Sequence, residues 1–533
     1  MELVTVETDY GTVAGTRQAD DLVVFRGIPY AAPPVGELRF RPPMRPEPWS
    51  GVRETITFAP MSLQPPPDAM GSIPGDPAEQ SEDCLYLNIY TPACDDRSRP
   101  VMVWIHGGGF VGGSSSSALY AGDRLAEHGI VLVTVNYRLG ALGWLGHPAL
   151  ADPDNPEAGC ANWGLQDQIA ALEWVAGHAG AFGGDPSRVT VFGESAGGMS
   201  VAALLATSAP HRLFQRAIIQ SGAALAHGQS SAAQVAELLA AELGLGQLSR
   251  ETLVSLPASE LLRAQIAIGP KFETLGLPFQ PVIDGGVLHE HPATAIAGGS
   301  AAGIDLLVGT NRDEWRLWLF TDPSLRELDE ARLERLVRRQ IENTGLSGAL
   351  DPTETIEKYR KARESRGAGV TPTEVYCAVA SDWSFRVPSM RLAAGHDGGL
   401  GRVFTYLFDW ESPFGGGGVL GACHALDLPF VFGSCSHPAI SMFSGGGEDA
   451  ERLSETMRRA WVSFAETGDP ADEGAGWPEY DSGQRATKRL GPVVEVIEAP
   501  MDDERAFLDF ALGPYGELEA TNAERTRMPG EAR

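Results

Sequence analysis

The sequence lacks the features of a membrane-spanning chain. No apolar run approaches the ~18–20 residues that a membrane helix needs. The longest, such as 130–135, have strand length. Residues 1–8 carry neither the basic region nor the apolar stretch of a secretory signal. Cysteine is scarce, with six in 533 residues at positions 84, 94, 160, 377, 423 and 435. None forms a Cys-x-x-Cys pair, which argues against zinc and dithiol redox sites. No Asn-x-Ser/Thr acceptor site occurs. These absences predict a cytoplasmic protein. Positive charge is also short: 41 Lys plus Arg stand against 70 Asp plus Glu, for a formal net charge of −29. Such a chain repels phosphate backbones and anionic lipid surfaces, so neither nucleic acid nor a membrane is an expected partner.

What is present is ordinary globular composition, 43% hydrophobic and 21% charged, which excludes disorder of the whole chain. Segments 3–6, 22–25 and 85–90 read as β-strands, and 493–497 as the last strand. The short apolar runs 102–105, 131–135, 189–192, 217–219 and 306–308 read as strands buried on both faces of a sheet. Between them, Leu165, Ile169, Leu172, Ala176 and Ala179 recur at helical spacing, and 196–206 is an Ala-rich apolar helix. Strands alternating with helices predict an α/β fold with a large, mostly parallel sheet. Residues 326–395 turn to charged helices without strong strands, as a helical subdomain or cap. Segment 63–79, with three consecutive prolines, reads as an exposed loop, and 415–418 and 445–447 as glycine loops.

The chemistry centres on Gly193-Glu194-Ser195-Ala196-Gly197. The bare Gly-x-Ser-x-Gly pattern is weak. Its setting is not, because the strand at 189–192 runs straight into it and an apolar helix leaves it. That is the strand–turn–helix of a nucleophile elbow. Glycine neighbours let the chain turn sharply and expose the Ser195 hydroxyl at a helix N-terminus, where backbone N–H groups favour developing negative charge.

Around such an elbow the orienting acid and then the base follow the serine in the chain. The run 306–308 ends in Gly309-Thr310-Asn311-Arg312-Asp313-Glu314. An acid just past a strand's carboxyl end lies on the elbow's side of the sheet. Spacing alone does not separate Asp313 from Glu314. Three histidines lie downstream of them. His396 and His437 fit solvated loops, whereas His424 joins a glycine-rich loop to an apolar stretch and is the best placed. Upstream, His106-Gly107-Gly108-Gly109-Phe110 follows the run 102–105. Such a loop offers backbone N–H groups to a substrate oxygen with no Cβ in the way.

At this point the sequence resembles the type B carboxylesterases, the cholinesterase-like branch of the α/β-hydrolases, and within them bacterial enzymes of the para-nitrobenzyl esterase type. The resemblance rests on Phe25-Arg-Gly-Ile-Pro-Tyr-Ala, Leu38-Arg-Phe, Ser81-Glu-Asp-Cys-Leu-Tyr-Leu-Asn and Val135-Asn-Tyr-Arg. It continues through Asn162-Trp-Gly-Leu-Gln-Asp-Gln, Phe182-Gly-Gly-Asp-Pro, Gln220-Ser-Gly and Thr467-Gly-Asp-Pro. It implies one α/β-hydrolase domain over 1–515, with 326–395 as its helical subdomain and 516–533 as a polar tail. It further implies Ser195 as nucleophile, Glu314 as acid and His424 as base. The oxyanion hole would be the N–H groups of Gly108, Gly109 and Ala196. Ser221 would support the triad from behind. Arg39 with Glu82, Asp167 and Asp185 would be structural.

The reaction implied is hydrolysis of short- to medium-chain carboxylic esters through an acyl-enzyme. No cofactor, metal or obligatory protein partner is called for, only a small-molecule ester. A neutral His424 predicts activity falling in acid with an apparent pKa near ~6–7. The alternatives are a carbamate, an amide or a long-chain lipid ester as substrate, and a non-catalytic adhesion-type relative. Two departures from the family pattern matter. Cys84 lacks the partner cysteine that secreted members carry, since 60–64 has none. No tryptophan lies in 65–83 to bind choline. Cys423, beside the base, is read as a packing residue or as a source of thiol-reagent sensitivity. Phe110, Met199, Trp163, Trp315, Trp318 and Phe320 are candidate pocket residues.

Overall fold

The computed structural model describes residues 2–512 apart from 19–21, 67–78, 153, 273–276, 344–348, 399–400, 415–417 and 472–475. The expected tail at 516–533 lies outside these residues, as do parts of the loops expected at 63–79 and 415–418. In chain order the strands are β1 (Leu3–Thr8), β2 (Gly11–Arg17), β3 (Val23–Pro29), β4 (Val52–Glu54), β5 (Tyr86–Thr91), β6 (Arg99–Ile105), β7 (Val131–Val135) and β8 (Gly184–Glu194). They continue with β9 (Arg216–Gln220), β10 (His227–Gly228), β11 (Val282–Ile283), β12 (Asp305–Asn311), β13 (Val403–Phe408), β14 (Ala486–Leu490) and β15 (Glu495–Glu498).

Among the described residues, thirteen of these strands form one sheet in the order β1-β2-β3-β5-β7-β6-β8-β9-β12-β13-β14-β15, with β4 beside β2. From β7 to β14 every neighbouring pair is parallel. The margins are antiparallel. Burial on both faces explains the continuous apolar runs. In β6, Val101, Val103 and Ile105 join one core cluster while Met102 and Trp104 join another. The first cluster packs helices Trp163–His178, Ala196–Leu205, Gln229–Glu242 and Ala258–Ile268 on one face. The second packs Leu428–Phe432 and Glu448–Thr467 on the other.

Helices Glu330–Asn343, Pro352–Ser365, Pro372–Ser381 and Val387–His396 occupy the charged stretch. Leu333, Val337, Ile341, Tyr359, Val375 and Val379 form a core of their own there, closed by Leu508 from helix Asp502–Leu512.

The chain lays down β5, β6 and β7, then crosses to place β8 on the far side of β6. The carboxyl ends of β6 and β8 therefore sit side by side, with Ile105 paired to Gly193. This is the switch point at which open α/β sheets bind ligands. Six of the fifteen strands lie outside the segments expected from the sequence: β2, β4, β10, β11, β13 and β14. The run at β13 is apolar throughout, Val403-Phe-Thr-Tyr-Leu-Phe, and follows a glycine-rich stretch at 395–401 that marks its start. In β14, Lys488 and Arg489 mask a buried strand, and Lys488 satisfies its ammonium on the Gly476 carbonyl at 3.1 Å. The last strand begins at Glu495 rather than 493. His396 is not in a solvated loop. It ends helix Val387–His396 fully buried, with Nε2 2.8 Å from the Ile304 carbonyl.

Candidate active site

The elbow forms as its sequence requires. Strand β8 ends at Glu194, and Ser195 adopts φ +54° and ψ −126° before helix Ala196–Leu205 begins. A non-glycine residue at positive φ is held there against about 1–3 kcal/mol of strain. The surroundings enforce it, since Ser195 N–H donates to the Gln220 carbonyl of β9 at 3.0 Å. The neighbouring glycines leave no room for side chains. A Cβ on Gly197 would sit 2.0 Å from the Ile105 carbonyl oxygen. Of ten non-glycine residues with positive φ among those described, Phe110, Ser195, Ser221 and Ala425 lie in the segments that build this site.

The loop after β6 lies against the elbow. A Cβ on Gly107 would fall 2.8 Å from the Glu194 carbonyl oxygen and 3.1 Å from Ser195 Cβ. Gly108 and Gly109 take φ +113° and +60°, open to glycine. His106 is buried and stacked on Tyr137 at 4.5 Å, and the Tyr137 hydroxyl donates to the His106 carbonyl at 2.8 Å. Among the described residues the N–H groups of Gly108, Gly109 and Ala196 meet no acceptor. Ala196 is the first residue of its helix, where no intrahelical acceptor exists.

Glu314 follows β12 and is fully buried. Its Oε2 meets His424 Nδ1 at 2.7 Å, and its Oε1 accepts from the Ser221 hydroxyl at 2.6 Å and the Asn311 N–H at 2.7 Å. The His424 N–H also donates to the Glu314 carbonyl at 3.1 Å. The imidazole is thus fixed through Nδ1, with Nε2 pointing away from Glu314. Sequence reasoning left Asp313 and Glu314 open on spacing, and the structure pairs the ring with Glu314. Arg39 meets Glu82 at 2.7 Å, and Arg138 meets Asp167 at 2.7 Å in a fully buried pair. Asp185, at the start of β8, accepts from the Ser187 N–H at 2.9 Å.

Two acids close to His424 have no role assigned in the sequence analysis. Glu194, the variable residue of the elbow motif, is buried with Oε1 3.1 Å from His424 Nε2. No aligned donor reaches that oxygen, so the approach is a charge contact. Ser195 Oγ itself makes no hydrogen bond among the described residues, a looseness common in unliganded sites. Asp427, three residues past His424, is fully buried and accepts from Gln220 at 2.8 Å and Tyr406 at 3.2 Å.

These charges set the protonation of the site. Burial alone would lower the His424 imidazole, but the Glu194 and Glu314 carboxylates outweigh it and raise its pKa to about 9. Burial raises the Glu194 carboxyl to about 8, opposed by His424 and aided by Asp427 and Glu314. The His424 imidazole therefore keeps its proton to a higher pH than the ~6–7 of an isolated histidine.

Aromatic rings enclose the imidazole. Phe385 lies 4.6 Å and Trp318 5.3 Å from it, and Trp315 stacks on Trp318 at 4.5 Å. Of the candidate pocket residues, only Trp318 has its ring against His424. Phe110, Trp163 and Met199 are core residues, and Phe320 is half exposed against Phe414. No helix among the described residues is long and apolar enough to cross a membrane.

The model of the carboxylesterase family matches residues 2–504. This chain belongs to the carboxylesterase family. It is 37% identical to para-nitrobenzyl esterase of Bacillus subtilis (strain 168), over 94% of this chain and 98% of that one. It is 34% identical to phenmedipham hydrolase of Pseudarthrobacter oxydans, over 91% and 94%. Among solved structures it superposes on a Geobacillus stearothermophilus carboxylesterase with TM-score 0.82 at 37% identity, covering 94% of this chain and 99% of that chain. It superposes on a PNB esterase with TM-score 0.80 at 36% identity, covering 95% and 99%. The fold is therefore that of the α/β-hydrolases, and the carboxylesterase hydrolyses carboxylic esters at a serine. Glu194 stood in plain view inside the elbow motif. Asp427 lies three residues past His424 in the sequence, whereas Phe385 carries no local signal, because only the fold brings it to His424.

Proposed function

We propose that Ser195, His424 and Glu314 are the catalytic triad and that Gly108, Gly109 and Ala196 form the oxyanion hole. His424 Nε2 takes the Ser195 proton as Oγ attacks the ester carbonyl. The carbonyl oxygen becomes an oxyanion and is met by the three free N–H groups. Collapse of the tetrahedral intermediate expels the alcohol, which receives the proton from Nε2. Water then repeats the sequence on the acyl-enzyme. Glu314 holds the imidazole tautomer and stabilises the imidazolium, and Ser221 holds Glu314. The observation that carries this reading is the buried Glu314–His424 pair at 2.7 Å, set on the same sheet edge as a strained elbow serine.

The natural ester joins a short to medium acyl chain to an aromatic alcohol. The leaving alcohol must sit beside the imidazole that protonates it, and Trp318 and Phe385 are the rings found there. The name of the para-nitrobenzyl esterase relative points the same way. We read the chain as one domain with the helices of 326–395 as its subdomain. We place it in the cytoplasm, in keeping with six free cysteines.

The test is hydrolysis of para-nitrophenyl esters across acyl lengths, with Ser195→Ala beside the wild type. The expected result is short-chain activity that falls by about 10⁴–10⁶ in kcat in the variant. Equal rates in both proteins would end the assignment of Ser195.

A further inference from the structure

The helix that begins at Pro372 does not run evenly to His396. Its turn Asp382–Arg386 is a π-turn, in which the Val387 N–H reaches back five residues to the Asp382 carbonyl. The next residue explains the widening. Pro388 has no N–H to give, and its ring would strike the carbonyl four residues back in an α-helix. Such bulges recur at functional sites.

The helix shows two working faces. Ser381, Phe385 and Ser389, spaced by four, face the active site. Ser381 Oγ accepts from the N–H of Trp315, next to Glu314, at 2.9 Å. Phe385 lies on the His424 ring, and Ser389 donates to the Gly222 carbonyl, next to Ser221, at 2.9 Å. The adjoining Asp382 and Arg386 face the other way, into a buried ion cluster. Arg386 forks onto Asp382 at 2.7 and 2.5 Å, and Tyr359 donates to the same carboxylate at 2.9 Å. The remaining Arg386 nitrogen donates to the carbonyls of Pro500 and Met501 at 3.1 and 3.2 Å, and Glu504 stands 3.6 Å away. Asp382, Arg386 and Glu504 are each at least 96% buried. The chain that offers these carbonyls is itself strained, with Ala499 at φ +43° and Met501 at +53°. Neither is glycine, so the conformation is held from outside, and the guanidinium is what its carbonyls meet.

We propose that Arg386 is a positioning residue for ester hydrolysis. Clamped between Asp382 and the chain leading into helix Asp502–Leu512, it braces the π-turn that presses Phe385 onto the His424 ring. The C-terminal segment thereby helps keep the base aligned with Ser195. The proposal rests on His424 being the base. A misaligned base slows proton transfer without weakening a small substrate's hold, so the effect belongs in kcat. Displacements of about 1 Å in such groups lower rates by up to about 100-fold.

The experiment compares wild type, Arg386→Met, Arg386→Lys and Phe385→Leu on methyl butyrate, whose methanol is too small to need the aromatic wall. Melting curves are recorded for each. The expected result for Arg386→Met is a kcat lower by about 10- to 100-fold, with KM within about twofold. Arg386→Lys should recover most of the loss, and Phe385→Leu should reproduce it. A folded Arg386→Met with wild-type kcat, or with the loss confined to KM, overturns the proposal. If Arg386→Met does not melt cooperatively, Phe385→Leu decides, and wild-type kcat in that protein overturns it. A wild type with no more activity than Ser195→Ala overturns the functional reading and the proposal with it. An active wild type beside an indifferent Arg386 overturns the proposal alone.

Discussion

Replacing Glu194 with glutamine removes one charge from the site and keeps its shape. Glu194 Oε1 lies 3.1 Å from His424 Nε2, with both side chains buried. Two unit charges about 4 Å apart at an effective dielectric of about 20 attract by about 4 kcal/mol, or about three pK units. That is a ceiling, because Glu194 keeps its own proton over part of the range, its carboxyl being raised to about 8 by burial. The pair titrates as a unit, so about one to two pH units of the effect should remain. The sign follows from the proposed role of His424 as base. In that role it works neutral, and a neighbouring carboxylate stabilises the imidazolium. Glutamine withdraws that support, so the imidazole is freed at lower pH and the acid limb of kcat/KM moves down. The assay is hydrolysis of methyl butyrate in a pH-stat, which avoids the titration of a phenol leaving group. A midpoint that stays where the wild type has it, or that rises, refutes the electrostatic account.

Ser221→Ala removes the 2.6 Å bond to Glu314 Oε1. A hydrogen bond to a charged group contributes about 1.5–3 kcal/mol, so kcat should fall about tenfold or more with KM little changed, measured by steady-state kinetics. Gly107→Ala puts a Cβ 2.8 Å from the Glu194 carbonyl oxygen. It should separate loop from elbow, lowering kcat at least about 100-fold, and a melting curve should show a lower Tm. Cys423 is fully buried, and burial raises its thiol well above the ordinary range. The thiolate is the reactive form, so maleimide should inactivate wild type and Cys423→Ser at equal rates. Faster loss in the wild type would show a reactive thiol.

What was legible in the sequence is what local physics writes. The apolar run at 189–192, the glycines around Ser195 and the helix after it specify an elbow without reference to the rest of the chain. The same holds for the glycine loop after β6. The flanks of His424 set it apart from His396 and His437 in the sequence, but His396 sits buried at a helix end rather than in a solvated loop. Gly395 and Asp397 beside it read as a loop, yet its Nε2 meets the carbonyl of Ile304, 92 residues away, in the core. The protonation of the site was not legible either. An isolated histidine predicts ~6–7, and the shift to about 9 arises from carboxylates at 194 and 314 that only the sheet brings together. Phe385 is a residue of the same kind. Its own segment says helix, and nothing in that segment says which ring it will touch.

The adjacent acids after β12 show how a local ambiguity becomes a division of labour. Asp313 and Glu314 are one residue apart, so their side chains leave the turn in different directions. Asp313 takes the backbone of the histidine loop. Its Oδ2 accepts from the Ala422 N–H at 3.1 Å, and its own N–H donates to the Ala422 carbonyl at 2.9 Å. Gly421 stands at φ +55°, where a Cβ would be 2.4 Å from that carboxylate. Arg312 meets the same Oδ2 of Asp313 at 2.7 Å. Asp313 thus fixes where the loop passes, two residues before His424. Glu314, one methylene longer and aimed inward, fixes how the ring is turned. Spacing could not choose between them because the site uses both: the shorter acid for the chain and the longer one for the imidazole.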